Sequence, residues 1–417
     1  MRRCPGAGRG GHLRILFVST WFPCPPDNGS KIRVNHLLQA LCERHEVNLV
    51  TFMPTIEEAV HIPALRAVCA QVDVVHHDPF RLNRTKALLG LVSLRPSHVV
   101  AGHSPDMAEM VVRAEERQPC DLIIASTTVA AQYTKNARQG ARLLEEHNFM
   151  PRWMEEQYRA QRSPARKAMR WLTWKKGLRY ERGLYRQFTA CTMVSERDRQ
   201  AMVEAMPSYS GRVAVIPNGV DLEHYRPGLA APSPDTLIFT GALTYSANSE
   251  AMRFFIGEIL PLIRRQCPDA TLAITGRNAG VDQSWLPADG SVRLTGYMED
   301  VRPAVAAAWA CVAPLRTGGG TRLKILEAMA LGTPVIATSK GAEGLDVTPG
   351  HDILIADEPA ALAAHVVRLL GDPGLRSRLA ESGRRLVEEK YGWSEIGRRF
   401  RQLVESTAAD SGGKHAG

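Results

Sequence analysis

Short unbroken apolar runs, spaced by segments long enough for a helix, constrain this chain more than any other feature. The first half holds Arg14-Ile-Leu-Phe-Val-Ser19, Val47-Asn-Leu-Val-Thr-Phe52, Val72-Asp-Val-Val75 and Asp121-Leu-Ile-Ile-Ala-Ser126. Such runs do not alternate polar with apolar, so they suit strands buried on both faces of a parallel sheet. Parallel neighbours need a crossover. Residues 31–44, with Ile32, Leu37, Leu38 and Leu41 as apolar stripe, read as the helix joining the first two runs. Residues 20–30 form a proline- and glycine-rich loop in which Asp27-Asn-Gly-Ser30 can start that helix. Arg142-Leu-Leu-Glu-Glu-His-Asn148 and Cys191-Thr-Met-Val-Ser-Glu196 continue the series, and Ser195 is placed to cap a helix over 197–206. After a turn-rich stretch at 216–235 the series begins again with Leu237-Ile-Phe-Thr-Gly241, a helix over 250–266, Thr271-Leu-Ala-Ile-Thr-Gly276, Arg293-Leu-Thr-Gly296 and Trp309-Ala-Cys-Val-Ala-Pro314. Helices over 360–370 and 375–389 close it.

The expected fold class is therefore α/β: two Rossmann-like, doubly wound domains, which 417 residues can supply with full cores. The boundaries read as a disordered basic leader at 1–12, a first domain at 13–216, a linker at 217–235 and a second domain at 236–389. Residues 390–417, with Tyr391-Gly-Trp393 at their start, read as a helix and tail crossing back to the first domain. Residues 13–22 are a poor signal-peptide core, because Arg14 interrupts them and no small-residue cleavage site follows. Eight cysteines stand singly, with no C-x-x-C pair, which argues against a zinc site or a disulfide framework and for a reducing cytoplasm. A formal charge of +9 and a pI near 9.2 favour anionic partners. Residues 151–188 concentrate that charge, interleaving Met169, Trp171, Leu172, Trp174 and Leu178 with Arg166, Lys167, Arg170, Lys175, Lys176 and Arg179. Two readings stand: an interfacial helix on an anionic membrane, or a helix packed on the first domain with its basic face in water. No nucleic-acid-binding motif is present.

The chemistry concentrates in residues 318–336. Gly318, Gly319 and Gly320 let the backbone turn sharply and approach a ligand. Thr321 or Thr317 is placed to cap the following helix, whose first turn offers unpaired amides to an anion. Arg322 and Lys324 add full positive charge, and Glu327 lies one turn deeper, where a carboxylate suits two vicinal hydroxyls. Gly332 ends the helix and Pro334-Val-Ile-Ala337 begins a strand. The pocket this describes takes a sugar nucleotide, with amides and cations on the diphosphate and Glu327 on the ribose; the plain alternative is a glycine loop with a surface Glu-Lys pair. Gly241, Gly276 and Gly296 each end a strand and open one rim of the second sheet. A dinucleotide site fails on the first strand, since no G-x-G-x-x-G follows it.

The segment from Thr321 to Ile336 resembles the nucleotide-sugar element of family 4 glycosyltransferases, retaining enzymes of the GT-B fold, whose two domains face each other across a cleft. Ile216-Pro-Asn-Gly-Val-Asp221, followed by Tyr225, resembles that family's interdomain signature. The resemblance implies a nucleoside-diphosphate-sugar donor of UDP or GDP type and a glycan or lipid-linked acceptor. It also implies retention without a metal or other cofactor, and a role in polysaccharide biosynthesis at the cytoplasmic face of a membrane. Gly29 and Ser30 then face the donor diphosphate. His147, in a pattern like Asp/Glu-x-His-Asn, touches the transferred sugar, and a capping or surface histidine is the alternative. Asn248, Arg277, Tyr297 and Leu323 join Gly241, Gly276, Gly296, Gly319, Gly320, Thr321, Arg322, Lys324 and Glu327 around the nucleotide. Many family members carry a second glutamate eight positions before Glu327, where this chain has Gly319. The loop 244–249 lacks the family's Arg and Lys, and Arg322 with Lys324 is expected to supply that charge. Lys324→Ala should then weaken nucleoside-diphosphate binding by about 1.5–3 kcal/mol. A nucleotide-sugar epimerase of the same fold and a non-catalytic nucleotide-sugar binder are the rival readings.

Overall fold

The first apolar run becomes β1 (Arg14–Ser19), and β2 (Glu46–Met53), β3 (Gln71–His76), β4 (Leu122–Ser126), β5 (Ala141–Glu145), β6 (Ala190–Met193) and β7 (Arg212–Val215) complete its sheet. The computed structural model describes residues 11–81, 93, 95–135, 140–318 and 322–412. Every pair in this sheet is parallel, in the order β3-β2-β1-β4-β5-β6-β7. A second parallel sheet, β10-β9-β8-β11-β12-β13, is built from β8 (Thr236–Thr240), β9 (Thr271–Thr275), β10 (Val292–Gly296), β11 (Ala310–Ala313), β12 (Val335–Ala337) and β13 (Leu354–Ile355). The chain divides accordingly into Met1–Pro217 with Gly397–Gly417, and Asn218–Ile396.

Both sheets reverse their winding once, between β1 and β4 and between β8 and β11. The carboxyl ends of strands flanking such a reversal are where doubly wound sheets bind ligands. In the second sheet the burial of both faces is explicit. Leu237 and Phe239 of β8 enter one apolar cluster, while Ile238 between them enters the other. Each such fully buried Leu, Ile or Phe contributes roughly 1.5–3 kcal/mol.

Ten helices carry the argument below: α1 (Gly29–Cys42), α2 (Pro105–Arg117), α3 (Met150–Ala160), α4 (Pro164–Tyr185), α5 (Glu196–Ala205), α6 (Ser246–Phe254), α7 (Leu323–Ala330), α8 (Pro359–Gly371), α9 (Pro373–Lys390) and α10 (Trp393–Gly412). Ser195 caps α5 as the sequence suggests, its side chain accepting from the Asp198 amide. Elsewhere the structure corrects the sequence. The helix expected from residue 31 starts at Gly29, because the Asn28 side chain accepts from the amides of Ser30 and Lys31. The basic region 151–188 is two helices, broken before Pro164, which forces Ser163 into extended backbone (φ −72°, ψ 122°). The helix expected over 250–266 begins at Ser246 and passes through a π turn at Phe255–Ile259. Pro261 lies just beyond that turn, and the wider turn suits a residue with no amide hydrogen to donate. Residues 82–92 and 94 lie outside the described residues, and Ser97–Ala101 beyond them is helical.

Candidate functional site

Two groups of side chains gather at strand ends, one in each unit. In the second unit the three glycine-ended strands are tied edge to edge. The Gly241 amide donates to Thr275 O at 3.0 Å, and the Gly276 amide to Gly296 O at 2.8 Å. All three glycines have positive φ: 146°, 114° and 72°. A Cβ on Gly276 would lie 2.6 Å from the Gly241 carbonyl carbon, and a Cβ on Gly241 would lie 2.7 Å from Asn248 Nδ2 and 2.9 Å from Lys324 Nζ. At Gly241 the bare position leaves the space that Asn248 and Lys324 occupy, and at Gly276 it leaves room for the Gly241 backbone.

Asn248 sits in the first turn of α6, and its Nδ2 donates to Ala242 O at 2.9 Å. Lys324, in the first turn of α7, donates from Nζ to Asn248 Oδ1 at 3.1 Å and stands 3.9 Å from the Phe239 ring centroid. Burial dominates its titration: despite Cys311 and Glu327 nearby, and with Arg322 adding repulsion, its pKa falls to about 7. An ammonium so placed is half deprotonated at neutral pH and gains from any anion that reaches it. Glu327 follows one turn later. Burial raises its carboxyl, partly opposed by the Tyr225 hydroxyl, which donates to Oε1 at 3.4 Å, and by Lys324.

The glycine loop behaves differently from its sequence reading in two respects. Helix α7 starts with Arg322 at the cap position and no side-chain cap. Thr317 does not cap it, because it lies five residues before the cap position, where its hydroxyl instead donates to Glu250 Oε2 of α6 at 2.5 Å. Among the described residues no side chain caps the first-turn amides, the condition under which a helix start takes an anion. Arg322, only 7% exposed, turns its Nη2 back onto Gly318 O at 2.9 Å, so it braces the loop. Gly319, Gly320 and Thr321 lie outside the described residues. Leu323 is half-buried beside Lys324. Arg277 is exposed with its guanidinium 5.6 Å from the Tyr297 ring, which is itself 69% exposed.

In the first unit, Gly29 and Ser30 are half-buried at the start of α1, and the Ser30 amide is taken by Asn28. One turn on, Arg33 is fully buried, and its Nε donates to Glu145 Oε1 at 2.5 Å. Its Nη1 donates to Pro217 O at 3.0 Å. Ser126 Oγ, at the end of β4, donates to Glu145 Oε2 at 2.7 Å, and His147 Nε2 lies 3.1 Å from the same oxygen. Burial alone would raise the Glu145 carboxyl, but Arg33 and His147 outweigh it and hold it well below the usual carboxylate range. Because an ionised carboxylate only accepts, His147 carries a proton on Nε2, and Nδ1 is a buried nitrogen with no partner. Thr127, next to Ser126, adopts φ 79° and ψ 158°, a region a β-branched residue rarely enters. Its hydroxyl lies 2.8 Å from that of Thr20.

The residue after Glu145 has the opposite environment. Glu146 is buried with Tyr185, whose hydroxyl donates to Oε1 at 3.3 Å; burial, then Glu181 and Glu145, push its carboxyl well up. Burial lifts Glu181 of α4 to about 8. Sequence reasoning missed Arg33, Ser126 and Thr127. A charged residue inside the apolar stripe of α1 was the available signal, since a buried guanidinium demands a counter-charge. Among the described residues, no group of three or more His, Cys, Asp or Glu side chains is placed to hold a metal ion.

Residues 27–224 match the family model described as Glycosyltransferase Family 4, and residues 234–372 match the one described as Glycosyl transferases group 1. A GDP-mannose-dependent monoacylated alpha-(1-6)-phosphatidylinositol monomannoside mannosyltransferase of Corynebacterium glutamicum is 28% identical over 46% of this chain and 55% of its own. A phosphatidyl-myo-inositol mannosyltransferase of Mycobacterium leprae is 31% identical over 53% of this chain and 60% of its own. The chain thus spans a little over half the length of these curated relatives. The Anabaena protein HepE, solved in complex with UDP and glucose, superposes with a TM-score of 0.66 at 17% identity, covering 95% of this chain and all of that one. At that identity the likeness speaks to fold, and the fold is GT-B.

Proposed function

We propose that this chain, which matches the Glycosyltransferase Family 4 model in its first half and the Glycosyl transferases group 1 model in its second, moves a glycosyl group from a nucleoside-diphosphate sugar to a glycan or lipid-linked acceptor. The observation that carries this reading is the Lys324 ammonium, held by Asn248 over Gly241 in the first turn of α7. That arrangement suits a diphosphate. As the bond to the sugar breaks, negative charge grows on the leaving diphosphate, and the α7 amides with Lys324 stabilise it more as it grows. Glu327, one turn deeper, suits the ribose hydroxyls. HepE was solved with UDP and glucose, and the Corynebacterium relative is named for GDP-mannose, which motivates a donor of UDP or GDP type.

The finer chemistry belongs to the same proposal. Retention proceeds on one face of the sugar without a metal ion, the departing phosphate helping to accept the acceptor's proton. His147, fixed by Glu145 and Ser126, addresses the transferred sugar. The setting is polysaccharide or glycolipid assembly at the cytoplasmic face of a membrane. A thermal-shift panel of UDP, GDP, ADP and their sugar conjugates tests the reading on wild type and Glu327→Ala. A ligand bound only by the folded state raises the melting temperature. One nucleotide that stabilises the wild type and loses its effect in the variant supports the donor site, and turnover of its sugar conjugates separates an enzyme from a non-catalytic binder. If no nucleotide stabilises either protein, the donor-site reading fails.

A further inference from the structure

Apart from Glu181 and Tyr185 near the end of α4, the α3–α4 hairpin takes no part in either group of site residues, yet its two helices are closely joined. Tyr158 stacks on Trp174 with centroids 5.8 Å apart. A Cβ on Gly177 would lie 2.7 Å from Met154 Sδ, so the helices meet where α4 has no side chain. Arg170 Nη1 donates to Gln157 O at 3.1 Å. Gly177, Leu178, Leu184 and Tyr185 are buried, whereas no residue of 164–176 is. Half of α4 therefore stands out from the unit's core on a braced support.

The outward residues of α4 sort along the helix rather than around it. Ala165, Ala168, Met169 and Leu172 stand at i, i+3, i+4 and i+7 and share one face. Lys175, Lys176 and Arg179, at i+10, i+11 and i+14, continue the same face toward the carboxyl end. Met169 is 60% exposed and Leu172 is 48% exposed; Trp171, on their flank, is 46% exposed. The one acid of α4, Glu181, is buried, so no carboxylate opposes the basic stretch from within the helix. An apolar half followed by a basic half on one face fits a surface that is apolar at depth and anionic at its rim.

We propose that this face of α4 docks on an anionic lipid bilayer, Met169 and Leu172 entering beneath the headgroups while Lys175 and Arg179 lie at the level of the lipid phosphates. Trp171 has the amphipathic ring that favours such an interface. A nucleic acid would satisfy the cations but offers no apolar layer to Met169 and Leu172. The inference rests on the membrane setting proposed above and names the surface that meets it; its test does not depend on a bound nucleotide.

Vesicle flotation of the full chain tests it, using phosphatidylcholine alone and phosphatidylcholine mixed with phosphatidylglycerol. Wild type should float with the mixed vesicles and not with the neutral ones. Lys175→Glu with Arg179→Glu should lower the partition coefficient by about thirtyfold or more, at about fivefold for each basic charge removed. Met169→Ser with Leu172→Ser should retain salt-sensitive binding but lose the blue shift of tryptophan fluorescence. Unaltered melting temperatures, and unaltered nucleotide-induced shifts, in both variants would show that fold and donor site are intact, whichever way flotation falls. Equal flotation of wild type and both variants would overturn the proposal. So would equal binding to neutral vesicles, or tighter binding to a duplex RNA than to mixed vesicles.

Discussion

If the donor diphosphate binds the Lys324 ammonium, its affinity must depend on pH in a way fixed by that residue's surroundings. Burial brings the free lysine to about 7 from an ordinary 10.5. The bound diphosphate favours the charged form and raises that value, so binding takes up protons between the free and bound pKa. Affinity is highest below pH 7 and falls as pH rises through 7. With only the ammonium form binding, the apparent dissociation constant scales as one plus the ratio of neutral to charged lysine. That factor is about 1.1 at pH 6, about 2 at pH 7 and about 11 at pH 8, a loss of roughly 1.4 kcal/mol over the range. UDP-glucose is the ligand to use, because its diphosphate has no group titrating in this window. Isothermal titration calorimetry in buffers of different ionisation enthalpy should register uptake of about half a proton at pH 7 and about 0.9 at pH 8. Lys324→Met should bind more weakly and without proton uptake. A flat affinity from pH 6 to 8.5, or a variant with the wild-type proton count, would refute the reasoning.

Three further outcomes follow from the first unit. Glu145→Gln leaves the Arg33 guanidinium buried without its counter-charge and should cost about 3–5 kcal/mol in urea denaturation, while Arg33→Leu with Glu145→Leu should recover much of that loss. Glu181 titrates near 8 in the fold against an ordinary 4.5, so its folded form holds a proton that the unfolded chain releases. Its contribution therefore falls as pH rises from 4.5 to 8, by about 3 kcal/mol at pH 7, and Glu181→Gln should stabilise the protein there and flatten its pH–melting curve. At the strained position 127, Thr127→Gly should melt later than Thr127→Ala by an amount equivalent to about 1 kcal/mol, because only glycine enters that backbone region freely; equal melting points would remove the strain argument.

Much of this was legible before any coordinates. A run such as Ile-Leu-Phe-Val in β1 has one environment, burial on both faces, and the α/β class of both units follows from repeating it with helices between. The runs that escaped notice, β7 and β13, are short edge strands, one of them two residues long, with too little apolar length to register. Lys324, Glu327 and the strand-end glycines could be named because local chemistry marks them. Their enclosure could not be read: Lys324 meets Asn248 across 76 residues and Arg33 meets Glu145 across 112, and pairings at such range depend on which strands become neighbours. Of the two threonines read as caps, Thr321 lies outside the described residues, and Thr317 sits too far before Arg322 to reach the first-turn amides and pairs with Glu250 of another helix.

The glycine rim also bears on how such a site could change over generations. At Gly241 and Gly276 a side chain is barred twice, by positive φ and by atoms within 3 Å of any Cβ. Mutation cannot explore new ligand contacts from those positions. Novelty at this rim is left to exposed neighbours such as Arg277 and Tyr297, which can be exchanged without disturbing the sheet beneath. The strand ends are fixed anchorage and the loops around them are the variable part, so a lineage built on this frame could acquire new ligand contacts while the rim itself stayed unaltered.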